Sequence, residues 1–169
     1  MMMIYSNVLK ELVNMRTFQV IVISLISMSL CQLLKFIVFS IKEKKFMFKT
    51  LITTGGFPSS HTSCVTSLVI SIGLFQFHDS GELTYSFAIA LVFATIVIHD
   101  AMGVRLEASK HAKILNNLVS NEDMETKQKL GFGKKGHLKE LLGHKGFEVL
   151  GGFLLGVLVA IVGYLIAII

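Results

Sequence analysis

The chain has 169 residues, 53% hydrophobic and 16% charged, with a formal net charge of +5 and a mean hydropathy of +0.69. That apolar excess speaks against a soluble multi-domain protein and leaves room for one membrane bundle. Two cysteines, Cys31 and Cys64, exclude a disulfide framework; each falls in an apolar stretch and reads as a small buried hydrophobe.

In chain order, residues 4–15, IYSNVLKELVNM, suit a short helix lying in the membrane interface, so residues 1–16 are expected as an interfacial segment of a single 1–169 membrane domain. Four stretches then lack charge: residues 17–34, 62–77, 83–99 and 149–169. A spanning helix needs roughly 20 apolar residues, about 17 at the least. The first and last clear that limit, and the middle two reach it with help from their flanks. The first run begins late, lacks a small-residue cleavage site and leads into Lys35, so it is expected to be retained. The prediction is an all-α integral membrane helical bundle of about four transmembrane helices plus short interfacial helices.

Charge orients the bundle. The loop over residues 41–57 holds Lys42, Lys44, Lys45 and Lys49 against Glu43, and the loop over residues 103–146 holds Arg105 and a run of lysines. The turn FHDSGEL, residues 77–83, carries only the acids Asp79 and Glu82. Lysine and arginine in short loops mark the cytoplasmic side. The basic loops are therefore expected inside, and the acidic turn and both termini outside, which leaves Lys10 and Arg16 on the outer side. Residues 105–142 form the polar cytoplasmic loop. Its first part, VRLEASKHAKILNNLV, has helical spacing and either extends the third span or lies on the membrane surface. Residues 120–137, SNEDMETKQKLGFGKKGH, read as a glycine-punctuated connection. LGFGKKGH lacks P-loop spacing and no nucleic-acid module appears, so no nucleic-acid partner is expected.

With four spans, the unusual polar groups fall at one face of the bundle: Lys35, the PSSH of residues 58–61, Asp100 and Arg105, and His144 with Glu148. Pro58 suits the first turn of a helix, where a missing N–H costs nothing. Gly55, Gly56, Ser59 and Ser60 would leave backbone donors open at a helix start, a place that attracts anions. Lys35 and Arg105 add positive charge, and an arginine can fork two bonds to phosphate oxygens. His144 and Glu148, four apart, share a helical face, so the carboxylate can hold one ring nitrogen and leave the other as base or nucleophile. His61 can give a proton to a leaving oxygen. Asp100 can pair with Arg105 or orient a histidine. Taken singly, His61 is a helix-terminal polar residue, His144 an interfacial loop residue and Glu148 an acid favoured by the helix dipole; together they read as phosphoryl chemistry. His99, Asp100, His111 and His144 form an alternative set for a divalent metal, but their spacing fixes no geometry and no metal site is expected.

GGFPSSHTS, IHDAMGVRLEASKHAKILNN and LKELLGHKGFEVLGGFLLG resemble the divergent branch of the type 2 phosphatidic acid phosphatase superfamily, whose wider membership includes vanadium haloperoxidases. The likeness runs from about Gln32 to the C-terminus. Lys35 resembles the lysine of the first motif. Pro58, Ser59, Ser60 and His61 resemble a PSGH second motif, with Ser60 in place of glycine. Arg105 resembles the arginine of the third motif, His144 its nucleophilic histidine, and Glu148 stands where the aspartate partner belongs. Arg105 and His144 are far apart in the chain, unlike the usual third motif, and Lys42 followed by Glu43 replaces an Arg-Pro pair. The resemblance implies a phosphatase without metal or other cofactor that passes through a phosphohistidine. His144 would attack phosphorus, His61 would protonate the departing group, and Lys35, Arg105, Ser59 and Ser60 would hold the phosphoryl oxygens, supported by Asp100, Gly56 and Pro58. A membrane lipid phosphate or isoprenoid diphosphate is the implied substrate. The other expectation is a non-catalytic membrane protein that binds anionic lipid head groups or acts in assembly. In the last span, Gly152 and Gly156 suit close helix approach, within the bundle or between two copies in a homodimer.

Overall fold

The computed structural model describes residues 2–44, 56–132, 136–138 and 146–169, apart from the side chains of 2–10, 12–14, 42, 43 and 105. These residues form helices and connections, with no strand among them. The helices are α1 (Met2–Glu43), α2 (Ser60–Ser80), α3 (Tyr85–Met102), α4 (Val104–Leu118), α5 (Met124–Lys129) and α6 (Gly146–Ile168). α1 has 42 residues, about 63 Å at 1.5 Å per residue, about twice the hydrocarbon thickness of a bilayer. Residues 4–15, read from sequence as a short interfacial helix, run on within the first turns of α1.

Among the described residues, three segments are long and apolar enough to cross a membrane: Met15–Ile41, Tyr85–Leu118 and Gly146–Ile168. Together with the absence of strands, they make the protein an all-α membrane bundle. The sequence reading put the count at about four, and α2 makes the difference. It is 21 residues long but carries serines and threonines throughout. The reason is its place: α1, α3 and α6 all pack around it. Its buried residues include Ser60, Thr62, Ser63, Thr66, Ser67 and Ser71 beside Val65, Val69 and Phe75. The outer helices show the reverse pattern, with Leu25, Ile89 and Leu158 more than half exposed. Small residues inside and large apolar ones outside suit a protein whose solvent is lipid, because close backbone packing then replaces the hydrophobic effect between helices.

The contacts fix the helix directions. Ser27 Oγ donates to the Ser63 carbonyl at 3.1 Å and lies 2.7 Å from Ser63 Oγ. Further along, Arg16 meets Asp79, so α1 and α2 are antiparallel. α6 runs parallel to α2. A Cβ on Gly152 would come 2.3 Å from the Ser59 carbonyl oxygen, and one on Gly156 2.6 Å from that of Ser63. These two glycines thus meet α2 of the same chain, so their close approach serves the bundle itself. α3 returns from α2 through a turn at Gly81 (φ 74°), where the Gln76 amide bonds Thr84 twice: the Thr84 N–H at 3.1 Å and its hydroxyl at 2.8 Å.

A single glycine, Gly103, separates α3 from α4, and among the described helices α4 packs only against α3. The polar stretch after it is more ordered than its sequence suggests. It contains α5, capped by the Asp123 carboxylate, which accepts the Thr126 N–H at 2.7 Å. Hydrogen bonds from Thr126 hold the Asp123 carboxyl below its ordinary range. The Asn116 side chain then binds Leu138 on both sides, giving to its carbonyl at 3.0 Å and accepting its N–H at 2.8 Å. Ala112 and Phe132 are both buried in this folded-back segment.

Candidate active site

Lys35 lies in the last third of α1 and is fully buried. Its ammonium has no hydrogen-bond partner among the described residues. Burying a charge costs several kcal/mol unless something compensates. The carboxylate of Glu148, in the first turn of α6, lies near enough to act on that charge. Across from Lys35 stands Gly56, with φ 101°, a backbone region open chiefly to glycine. A Cβ there would lie 3.8 Å from Lys35 Cδ and 2.7 Å from the ring of Phe39.

The chain then passes through Phe57 and Pro58 to the start of α2. Sequence reasoning put Pro58 in the first helical turn; instead Ser59 is the N-cap and Pro58 precedes it. Ser59 is fully buried. Its hydroxyl oxygen accepts the Thr62 N–H at 3.4 Å and the Thr62 hydroxyl at 2.9 Å. Its own N–H donates to the Glu148 carbonyl at 2.9 Å. The amides of Ser59 and Thr62 are therefore not among the open donors that the sequence suggested here. Ser60 is also fully buried, and its hydroxyl has no partner among the described residues. A buried ammonium and a buried hydroxyl without partners among the described residues thus occur at the end of the bundle where α2 presents the positive end of its dipole.

The remaining candidates follow from the helix directions. His61 is half-buried in the first turn of α2 and Asp100 half-buried in the last turn of α3, and both carry contacts of their own. α3 is antiparallel to α2, so Asp100 belongs to the same end of the bundle. Arg105 stands in the first turn of α4, just past the Gly103 break; its side chain is not described. His144 lies outside the described residues. Lys35, Gly56, Pro58, Ser59, Ser60, His61, Asp100 and Glu148 thus share one end. Among the described residues no three His, Cys, Asp or Glu side chains cluster as a metal site, so His99, Asp100 and His111 do not form one together.

Two features escaped the sequence reading. The first is a wall of aromatic rings beside Lys35, made by Phe39, Phe57 and Phe147. Its trace in the sequence was the four-residue spacing of Lys35 and Phe39. The second is a polar cluster at the opposite end of the bundle, where the sequence reading placed Arg16 and Asp79 without pairing them. Arg16 donates to both Asp79 oxygens, at 3.1 and 3.3 Å, and its guanidinium sits 4.7 Å from the Phe75 ring centre. Nearby, the Tyr164 hydroxyl lies 3.0 Å from His78 Nδ1. The pair Arg16–Asp79 shows why a cation is tolerated beside the acidic turn. Both cysteines are free, with Cys31 fully buried.

Comparison with known proteins gives this arrangement a lineage. The chain is 35% identical over 145 residues to an uncharacterized membrane protein, YuiD, of Bacillus subtilis (strain 168), an overlap of 82% of this chain and 89% of that one. No solved structure matches the chain. The model of the Divergent PAP2 family matches residues 17–159, a stretch that holds every site candidate from Lys35 to Glu148; the chain belongs to that family.

Proposed function

We propose that the protein is a membrane phosphatase that hydrolyses a lipid phosphate or isoprenoid diphosphate without a metal ion, through a phosphohistidine. The observation that carries this reading is the fully buried Lys35 ammonium, without a hydrogen-bond partner among the described residues, beside the Gly56–Ser60 turn. A phosphoryl group supplies what that ammonium and the Ser60 hydroxyl lack. In the reaction, a ring nitrogen of His144 attacks phosphorus and the bond to the leaving oxygen breaks. His61 gives that oxygen its proton. Water then attacks the phosphohistidine, gives its proton to His61 and releases phosphate, which restores both histidines. Glu148 orients His144 and stabilises its positive charge. Lys35, Arg105, Ser59 and Ser60 steady the phosphoryl oxygens. Asp100 is assigned to positioning Arg105. The basic loops favour the cytoplasmic face for this site.

The test is phosphate release by the full chain in detergent or nanodiscs, over a panel of lipid phosphates. The expected result is release that survives a chelator, stops with vanadate and disappears in His144→Ala while the variant stays folded. Silence across the panel, with anionic lipid binding that tolerates His144→Ala and fails in Arg105→Ala, would instead identify a non-catalytic headgroup-binding protein.

A further inference from the structure

The phosphate reading leaves an apolar space unexplained. A cavity of about 190 Å³ lies between α1, the turn before α2 and the start of α6, lined by Val38, Phe39, Gly56, Phe57, Phe147 and Glu148. Phe57 and Phe147 stack with ring centres 5.9 Å apart. Two glycines seat the rings. Phe39 lies against Gly56, and a Cβ on Gly151 would come 2.4 Å from the ring of Phe57. Phe57 is 39% and Phe147 57% exposed, so the space reaches the outer surface of the bundle. Gly56 links the space to Lys35: a Cβ on it would lie 3.8 Å from Lys35 Cδ, and Lys35 is one helical turn from Phe39 on the same face of α1.

We propose that this aromatic space selects the substrate by the hydrocarbon next to its phosphate, accepting a single slender chain and rejecting a glycerol that bears two. The inference rests on reading the Lys35 end as a phosphate site. Its size argues for one chain. A cavity of roughly 150 Å³ holds one benzene-sized group, whereas pockets that enclose a whole drug-sized molecule run from roughly 300 to 1,000 Å³. The space therefore encloses a short run of carbon atoms while the rest of the chain stays in the bilayer. Its chemistry agrees. In a two-chain glycerol phosphate the methylene beside the phosphate is followed at once by two carbons that bear acyl esters, whose carbonyls ring carbons cannot satisfy. An alkyl or polyprenyl phosphate presents only methylene, methyl or alkene groups at that point, and these pack on aromatic faces.

Binding, not turnover, gives the direct test. The full chain in nanodiscs is titrated with dodecylphosphonate, with a two-chain phosphonate analogue of phosphatidic acid and with methylphosphonate. The wild type is expected to hold the single-chain probe about tenfold or more tightly over the two-chain probe, the scale at which small pockets discriminate. Phe147→Ala, which removes an exposed ring, should bring that ratio close to one. Phe57→Leu should move it in the same direction. Equal wild-type affinity for one and two chains overturns the proposal, as does a ratio untouched by both variants, or failure to bind any of the three probes. Selective binding without phosphate release from the matching phosphate esters upholds it while removing the hydrolase reading. Equal kcat/KM on one-chain and two-chain phosphates removes the selection and leaves the hydrolase reading in place.

Discussion

Lys35 sets function against stability. A charge that is fully buried and lacks a hydrogen-bond partner among the described residues destabilises the fold, and a neutral side chain of similar length removes that burden. Lys35→Met is therefore expected to unfold at the same or a higher temperature than the wild type. The same variant should lose turnover by about 10²–10³-fold, the usual effect of deleting one group that holds developing charge, and become insensitive to vanadate. Unfolding followed in detergent and phosphate release measured on the same preparation check both halves. A variant that is less stable but equally active would show that Lys35 is a structural residue. Ser59 has the opposite balance. Its hydroxyl caps α2 and its N–H ties α2 to α6, so Ser59→Ala should cost about 1 kcal/mol, the usual value of a lost cap, in chemical unfolding.

At the scale of elements, the α2–α6 contact is the tightest joint. Gly152→Ala places a methyl group against the Ser59 backbone, which cannot swing aside as a side chain can. Separating the helices should cost about 1–3 kcal/mol, as overpacking does. Gly146→Ala on the same helix meets nothing within 4 Å among the described residues and should leave stability unchanged in the same unfolding experiment. α5 responds to acid instead. The Asp123 carboxyl is held below its ordinary range by Thr126, so its capping contribution is complete above the unfolded-state pKa. It is lost as pH falls through the depressed folded-state value. Hydrogen exchange at the Thr126 amide should therefore gain an acid-dependent opening of α5 that Asp123→Asn removes.

For the whole molecule, the orientation inferred from charge predicts opposite labelling of two positions. A cysteine at Glu82, in the acidic turn, should react with an impermeant maleimide added to intact cells. One at Glu125, in α5, should react only after the cells are opened; the reverse pattern would invert the bundle. Much of the helical bundle was legible in the sequence, because uncharged runs report directly on lipid. The middle of the bundle was less so. Hydropathy sees the helices that lipid surrounds, whereas α2 is packed by α1, α3 and α6, and its uncharged run, residues 62–77, looked marginal for its length. The polar residues of the site stood out for the same reason: Lys35 and the PSSH run are costly near a membrane. The aromatic wall did not stand out, since phenylalanines are ordinary in an apolar chain and only folding brings residues 39, 57 and 147 together. The pairing of Arg16 with Asp79 was equally hidden, since the two lie sixty-three positions apart.

The hydroxyl-rich face of α2 has a consequence for biosynthesis. A nascent chain meets the bilayer in order, so α2 arrives before the glycines of α6 exist to cover it. Lipid offers no partner to its hydroxyls, and Ser27 on α1 can shelter only part of that face. A chain released before Gly146 should therefore fail to retain this segment in the bilayer and be cleared by the cell's proteases, although most of its greasy length has already been made.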